Sequence, residues 1–367
     1  MPGRLTADNT TEIQRGHHMP RARSFKQSFL VGLALTAVSF PALADGLTVV
    51  SWGGALQEAQ TKAFLDPYAK ANNITVTQDT WSGELAKLRA MVDSGNVAWD
   101  VIDVDPQTGA TACDQGLLEK IGADAAFKSA GLVDGALTDC AVGTSVYATI
   151  LAFQKQAFPQ APAKLTDIFD TKTFPGKRGL RKSPVDTLEL ALLADGVAAS
   201  DVYATLATPA GVDRAFKKLD TIKKDIVWWE AGAQPPQLLK SGEVKMALAW
   251  NGRIADANAK ENADLGIAWT NQIRGFDMWV IPSGSKNLAA AKQFVAFSVK
   301  PDVNATLSNY IAYGPTVKAA GALVAKDVLP NLPSAPQNSE GALAQDGAFW
   351  AKNGDALNAR FSSWISQ

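Results

Sequence analysis

The sequence predicts an α/β protein built as two lobes with a cleft between them, and three observations carry that expectation. Residues 47–104 alternate strand, helix, strand, helix, strand, the order of a parallel sheet with crossover helices. Removing a 44-residue leader from 367 residues leaves 323, more than one core usually serves. The chain can also pass between lobes twice, along the apolar run Thr144–Phe153 and again near residue 275. Two crossings make a hinge, and hinged lobes close over ligands. The expected division is residues 45–152 with 278–367 in one lobe, and 153–277 in the other.

The leader comes first in chain order. Met19 to Ala44 has the anatomy of a secretory signal peptide, with Arg21, Arg23 and Lys26 as the basic region. Phe29 to Phe40 is the apolar region, and Ala42-Leu43-Ala44 the small-residue cleavage site. The apolar run is shorter than the roughly 20 residues that span a bilayer. The residues before Met19 look like an upstream start and are set aside. The mature chain is expected to begin at Asp45 and to be periplasmic.

Leu47 to Ser51 reads as a buried strand that runs into Trp52-Gly53-Gly54. A helix follows with Ala59, Ala63, Phe64 and Tyr68 at helical spacing. Ile74–Thr80 is a second strand, Gly83–Ser94 a second helix, and Asp100–Val104 a third strand ending at Asp105-Pro106-Gln107. Beyond the crossing, Thr187–Asp195 and Gly211–Lys224 read as helices. The stretch Trp228–Arg253 is the richest: paired indoles, then Val244–Ala249 as an apolar strand that ends in Trp250-Asn251-Gly252-Arg253. Ligands sit at the carboxyl ends of strands in open α/β sheets. Leu265–Trp269 and Met278–Ile281 read as separate strands, with Arg274–Asp277 as the return crossing. Ala289–Val299 is helical, and a last helix follows from Glu340.

Composition excludes several chemistries. Both histidines, His17 and His18, lie in the leader, so the mature chain has none. That removes histidine acid/base catalysis, serine and cysteine nucleophiles paired with histidine, and imidazole-ligated metal sites. No metal and no cofactor are expected. The two cysteines, Cys113 and Cys140, pair most simply with each other in an oxidising compartment. The mature chain keeps 30 of 35 basic and 34 of 36 acidic residues. That mild balance carries no nucleic-acid footprint.

The residues at strand ends and turns are aromatic or acidic: Trp52, Trp229, Trp250, Trp269 and Tyr313, with Asp105, Asp186, Glu189 and Asp277. Arg253 is the single cation among them. Indole faces attract organic ammonium ions, and a carboxylate pairs with them strongly. Asp186 and Glu189 lie three apart and share a helix face, which a solvated surface would also explain. Asp277, between Phe276 and Met278, is an acid in an apolar setting.

These residues resemble the periplasmic solute-binding components of ABC importers of the spermidine/putrescine-binding type. The likeness rests on Val50–Gly54, Phe174–Arg178, Trp229–Leu239, Gly242-Glu243-Val244, Trp250–Arg253 and Tyr313-Gly314-Pro315. It implies two α/β lobes (the type II-like binding-protein fold), no enzymatic activity, and delivery of a ligand to permease subunits in the inner membrane by a monomer. It carries polyamine contacts onto Trp52, Asp186, Glu189, Trp269, Asp277 and Tyr313. The chain departs from that pattern at Ala55, Asp105, Gln107 and, above all, Arg253, because a guanidinium repels an ammonium and welcomes a carboxylate. The first expectation is therefore a polyamine such as putrescine or spermidine. The alternative is an ω-amino acid such as 4-aminobutyrate held by Arg253 and Asp277. A secreted hydrolase using Asp186 with Glu189, or an iron binder, are the remaining readings from other classes. Amino-terminal sequencing of the exported protein is expected to begin at Asp45; retention of residues 19–44 would reject the leader.

Overall fold

The computed structural model describes residues 46–367, so the leader and its cleavage site lie outside the described residues. Among the described residues ten strands share one sheet. Eight lie along a single path, in the order β2-β1-β3-β8-β4-β7-β5-β6. In chain order these are β1 (Leu47–Ser51), β2 (Val76–Thr80), β3 (Val101–Val104), β4 (Ala141–Gln154), β5 (Arg178–Arg181), β6 (Ile226–Trp229), β7 (Met246–Trp250) and β8 (Leu265–Val280). The two-residue strands β9 (Gly314–Pro315) and β10 (Leu343–Ala344) pair with β4 and β8.

The path holds two parallel sets joined by an antiparallel ribbon. β2, β1 and β3 run parallel, as do β6, β5 and β7. Between them β4 and β8 pair antiparallel along nearly their whole length. The inner parallel strands β1, β3 and β7 are buried on both faces, which explains their apolar runs, whereas the edge strand β2 is polar and largely exposed. On β1, Leu47 and Val49 enter one core cluster with Phe64, Trp279 and Phe294, while Val50 enters another with Trp81, Leu88 and Ile102. On β7, Met246 and Leu248 join Leu188 and Phe216, while Ala247 and Ala249 meet Ala148, Ile150 and Ala152. The two-residue period of a strand sorts these side chains to opposite faces.

The carboxyl ends of both sets point chemistry at one place. β1 ends into Trp52 and β3 into Asp105, while β5, β6 and β7 end at Arg181, Trp229 and Trp250. The fold is thus the two-lobed α/β arrangement expected from the sequence.

Two expectations need correction. Leu265–Val280 form one strand rather than two, because the polar stretch around Asn271 bulges out of the ladder instead of ending it. Ala268 faces Leu151 and Ile273 faces Thr149, so four residues of β8 stand opposite a single residue of β4. Asn271 in the bulge has φ 65°. The carboxyl-terminal helix Gly347–Ile365 does not pack with the first set alone, where the division at 278 put it. Its Phe349, Trp350, Leu357, Phe361 and Trp364 are buried in the cluster built by Leu188, Phe216 and Leu219. Trp364 also donates to Asp220 at 2.7 Å. Large aromatics bury 150–250 Å² each, and the second set offers the apolar surface that covers them.

Cys113 and Cys140 form a disulfide with Cα atoms 5.9 Å apart, closing a separation of 27 residues. Closing a loop of that size stabilises by roughly 3 kcal/mol on the chain-entropy account. Urea unfolding with reductant is expected to give an unfolding free energy lower by that amount, seen as a lower midpoint at unchanged slope; identical curves would make the bond energetically silent.

Candidate functional site

Where the strand ends converge, a small cavity is lined by Trp52, Leu56, Asp105, Tyr147, Trp250, Asp277 and Tyr313. It is tight, with a volume of about 20 Å³ open to the centre of a water-sized sphere. The aromatic walls brace one another. Trp52 meets Trp250 edge-on at 6.5 Å, Tyr147 meets Trp250 at 6.2 Å, and Tyr147 meets Tyr313 at 6.0 Å. Trp229, 2% exposed, meets Trp250 edge-on at 5.6 Å and supports that wall from behind without lining the cavity. Gly232 has to be glycine here, since a Cβ would stand 2.4 Å from the Trp250 ring.

Two carboxyls face this space. Asp105 caps the helix Pro106–Asp114, its Oδ1 accepting from the Thr108 backbone N–H at 2.8 Å. Burial pushes its pKa up, opposed by the nearby Arg181 guanidinium. Asp277 lies directly opposite Ser145 in the β4–β8 ladder and accepts from the Ser145 hydroxyl. Burial raises it to about 7, against the pull of that hydroxyl and of Arg253.

Arg253, 4% exposed, sits in the first turn of the helix Asn251–Glu261. Its Nη1 donates to the Gly53 carbonyl at 2.9 Å, while its Nε is buried with no partner among the described residues. Gly54, at φ 56°, leaves room for this, because a Cβ there would lie 2.8 Å from Nη1. Neither acid that could neutralise Arg253 locally does so. Glu230 pairs with Lys182 at 3.0 Å, and Asp256 with Lys260 at 2.7 Å.

The other expected contacts lie elsewhere. Asp186 is buried just beyond the cavity, accepting from Thr149 Oγ1 and Gln345 Nε2 at 2.7 Å each. Glu189 lies deeper, accepting from Trp350 Nε1 at 2.7 Å and Tyr203 at 3.2 Å. Burial first, then Asp186, raises it to about 8. It is fully buried in the second set's core and lines no part of the cavity, so the helix-face pairing with Asp186 makes no shared site. Trp269 is a correction in placement. It lies in the β8 bulge against the Ala148–Ala249 cluster, and its neighbour Ala268 pairs with Leu151, six β4 residues at about 3.3 Å each from the Ser145 that pairs with Asp277. One ammonium does not bridge that distance.

Four residues at the site escaped the sequence reading. Tyr147 and Ser145 are hidden inside the long run of β4, and Arg181 ends a short strand rich in basic residues. Asp103 lies in the middle of β3, fully buried. It accepts from Gln60 Nε2, whose Oε1 in turn accepts from Ser51 Oγ at 2.6 Å. Burial, reinforced by Asp277, holds the Asp103 carboxyl well above the usual range. The available signal was the acid itself, set between Ile102 and Val104 in an apolar strand.

Comparison with known proteins gives this geometry a family. A family described as bacterial extracellular solute-binding proteins matches residues 63–336. The chain is 43% identical, over 94% of its length and 98% of the relative's, to the gamma-aminobutyric acid-binding protein of Pseudomonas aeruginosa. The solved structure of the Atu4243-GABA receptor superposes with a TM-score of 0.78 at 35% identity, covering 87% of this chain and 97% of that one. The putrescine-binding periplasmic protein PotF of Escherichia coli (strain K12) is 32% identical over 25% of this chain and 27% of its own. The chain belongs to the bacterial extracellular solute-binding proteins. It is the solute-binding component of an ABC importer rather than an enzyme, and the family places it outside the cytoplasm.

The raised Asp277 carboxyl sets a pH dependence. An ordinary aspartate titrates near 4, so between about pH 4 and 7 the folded state holds a proton that the unfolded state has lost. The stability this group contributes is complete below about 4 and is lost as pH rises through 7. Ligand-free Asp277→Asn is expected to lose less stability between pH 5 and 7.5 than the parent protein. Equal losses in urea melts would place the titration elsewhere.

Proposed function

We propose that this solute-binding protein captures a zwitterionic ω-amino acid of the 4-aminobutyrate type and delivers it to its permease, with Arg253 holding the carboxylate and Asp277 the ammonium. The observation that carries this reading is the buried Arg253 guanidinium, which has one carbonyl partner and an unsatisfied Nε while its local acids are paired elsewhere. A guanidinium in this state meets a carboxylate in the paired geometry that the two groups share. Asp277 and Arg253 both act electrostatically on Tyr313, so the two ends of a short zwitterion would lie against one aromatic wall. Trp52, Tyr147 and Trp250 would cover the methylenes and, through their ring faces, favour the ammonium.

The extended likeness to the gamma-aminobutyric acid-binding relative and to the GABA receptor structure supports the same ligand class. The first expectation, a polyamine, has weaker support: the putrescine-binding relative matches a quarter of the chain. A second ammonium would also have to approach a guanidinium. In this reading Trp52, Asp105, Trp250 and Tyr313 remain ligand-wall residues. Trp229, Asp186 and Glu189 act behind the wall, and Trp269 takes no part.

An ammonium beside Asp277 stabilises its ionised form, so capture near pH 6 should release a fraction of a proton. Isothermal calorimetry with 4-aminobutyrate and putrescine tests the assignment. Wild type is expected to bind the amino acid, and Arg253→Ala to lose it by roughly 100-fold or more, in line with the 2–5 kcal/mol cost of removing one member of a buried charge pair. Diamine binding should be unharmed by the same change. An equal loss for both ligands would remove Arg253 from the carboxylate role.

A further inference from the structure

The cavity shares its Trp52 and Asp105 walls with a wider chamber lined from both parallel sets, whose wall carries Arg181, Lys182, Glu84, Glu230 and Asp355; of these charges, Arg181 is the one that stands over the Trp250 ring. Arg181 is the last residue of β5, so its side chain leaves the sheet at a carboxyl end. Its guanidinium lies over the Trp250 ring, 5.3 Å from the centroid. Trp250 is also the wall of the inner cavity. Among the described residues no hydrogen bond or ion pair engages this guanidinium. The adjacent cation differs: Lys182 is paired with Glu230 at 3.0 Å. Arg181 acts at longer range on Asp105 and Asp186, drawing both toward their ionised forms.

We propose that Arg181 is a specificity-determining residue, a charge filter at the mouth of the cavity that draws in molecules bearing a carboxylate and turns away diamines. This rests on the ω-amino acid reading above and names a second cation, separate from the one that holds the bound carboxylate. Stacking on an indole fixes the guanidinium without consuming its donors. A stationary charge in a cleft with low-dielectric walls focuses its field on whatever enters. A zwitterion can approach carboxylate first and slide past to Arg253. A diamine presents positive charge at either end and meets repulsion twice, first at Arg181 and then at Arg253.

The test uses the full mature protein with Arg181→Met, which keeps a long apolar side chain against Trp250, and Arg181→Gln as a second variant. Stopped-flow tryptophan fluorescence would follow association of 4-aminobutyrate at low and high salt, and calorimetry would compare 4-aminobutyrate with putrescine. Loss of the filter is expected to slow 4-aminobutyrate association about tenfold at low salt, to flatten its salt dependence, and to raise the putrescine to 4-aminobutyrate affinity ratio about tenfold. Variants that bind 4-aminobutyrate with an unchanged ratio and unchanged salt dependence would overturn the filter while leaving the ligand assignment intact. A wild-type protein that binds putrescine and not 4-aminobutyrate would overturn the ligand assignment itself, and the filter with it.

Discussion

The site depends on charge held in a dry aromatic box without a full set of partners. Taking a carboxylate or guanidinium out of water costs several kcal/mol, which only good pairing restores. Here Asp277 has one hydroxyl and Arg253 one carbonyl. Burial acts in the way physical chemistry allows, pushing Asp277 up to about 7 so that it can shed its charge. In the proposed reading a zwitterion of the right length would supply a partner to each, and selectivity would follow charge arrangement rather than bulk, since an unmet buried polar group penalises the wrong molecule.

That arrangement requires both parallel sets. Trp52 and Asp105 come from the carboxyl ends of β1 and β3, Trp250 and Arg253 from β7 and the turn after it, and Tyr147 and Asp277 from the ribbon between them. The Arg253–Gly53 hydrogen bond spans the two sets directly. A change in how the sets approach each other alters the walls and the buried cation together. In the proposed reading, a ligand that satisfies Arg253 and Asp277 would favour the arrangement in which both are desolvated.

Much of the fold was legible in the sequence, because inner strands such as β1, β3, β4 and β7 are buried on both faces and announce themselves as apolar runs. The site was legible where chemistry sits at the end of such a run, as with Trp52, Asp105, Trp250 and Arg253. It was obscure where position depends on register. Ser145 becomes a partner of Asp277 only through the pairing of β4 with β8, and nothing local in the run from Val142 to Phe153 singles it out. Trp269 shows the reverse error. Its type suits an amine site, yet it lies in a four-residue bulge, packed against the Ala148–Ala249 cluster and away from the cavity lining. Asp186 and Glu189 share a helix turn as spacing requires, but the carboxyl-terminal helix supplies Trp350, and the segment before it supplies Gln345, as their partners. No spacing rule reaches across more than 150 residues.

Asp103 completes the electrostatics of the site. It is buried behind Asp277, has an oxygen with no partner, and lies in a region where Arg253 is the nearest buried cation acting on its neighbour. Two carboxylates sharing one low-dielectric region do not both ionise readily. If a ligand ammonium pairs with Asp277 and stabilises its charge, that charge holds Asp103 more firmly in the neutral form. The Gln60 and Ser51 chain then serves to orient a neutral acid rather than to neutralise an anion. Asp103 thereby places a polar group behind Asp277 without adding a second full negative charge there.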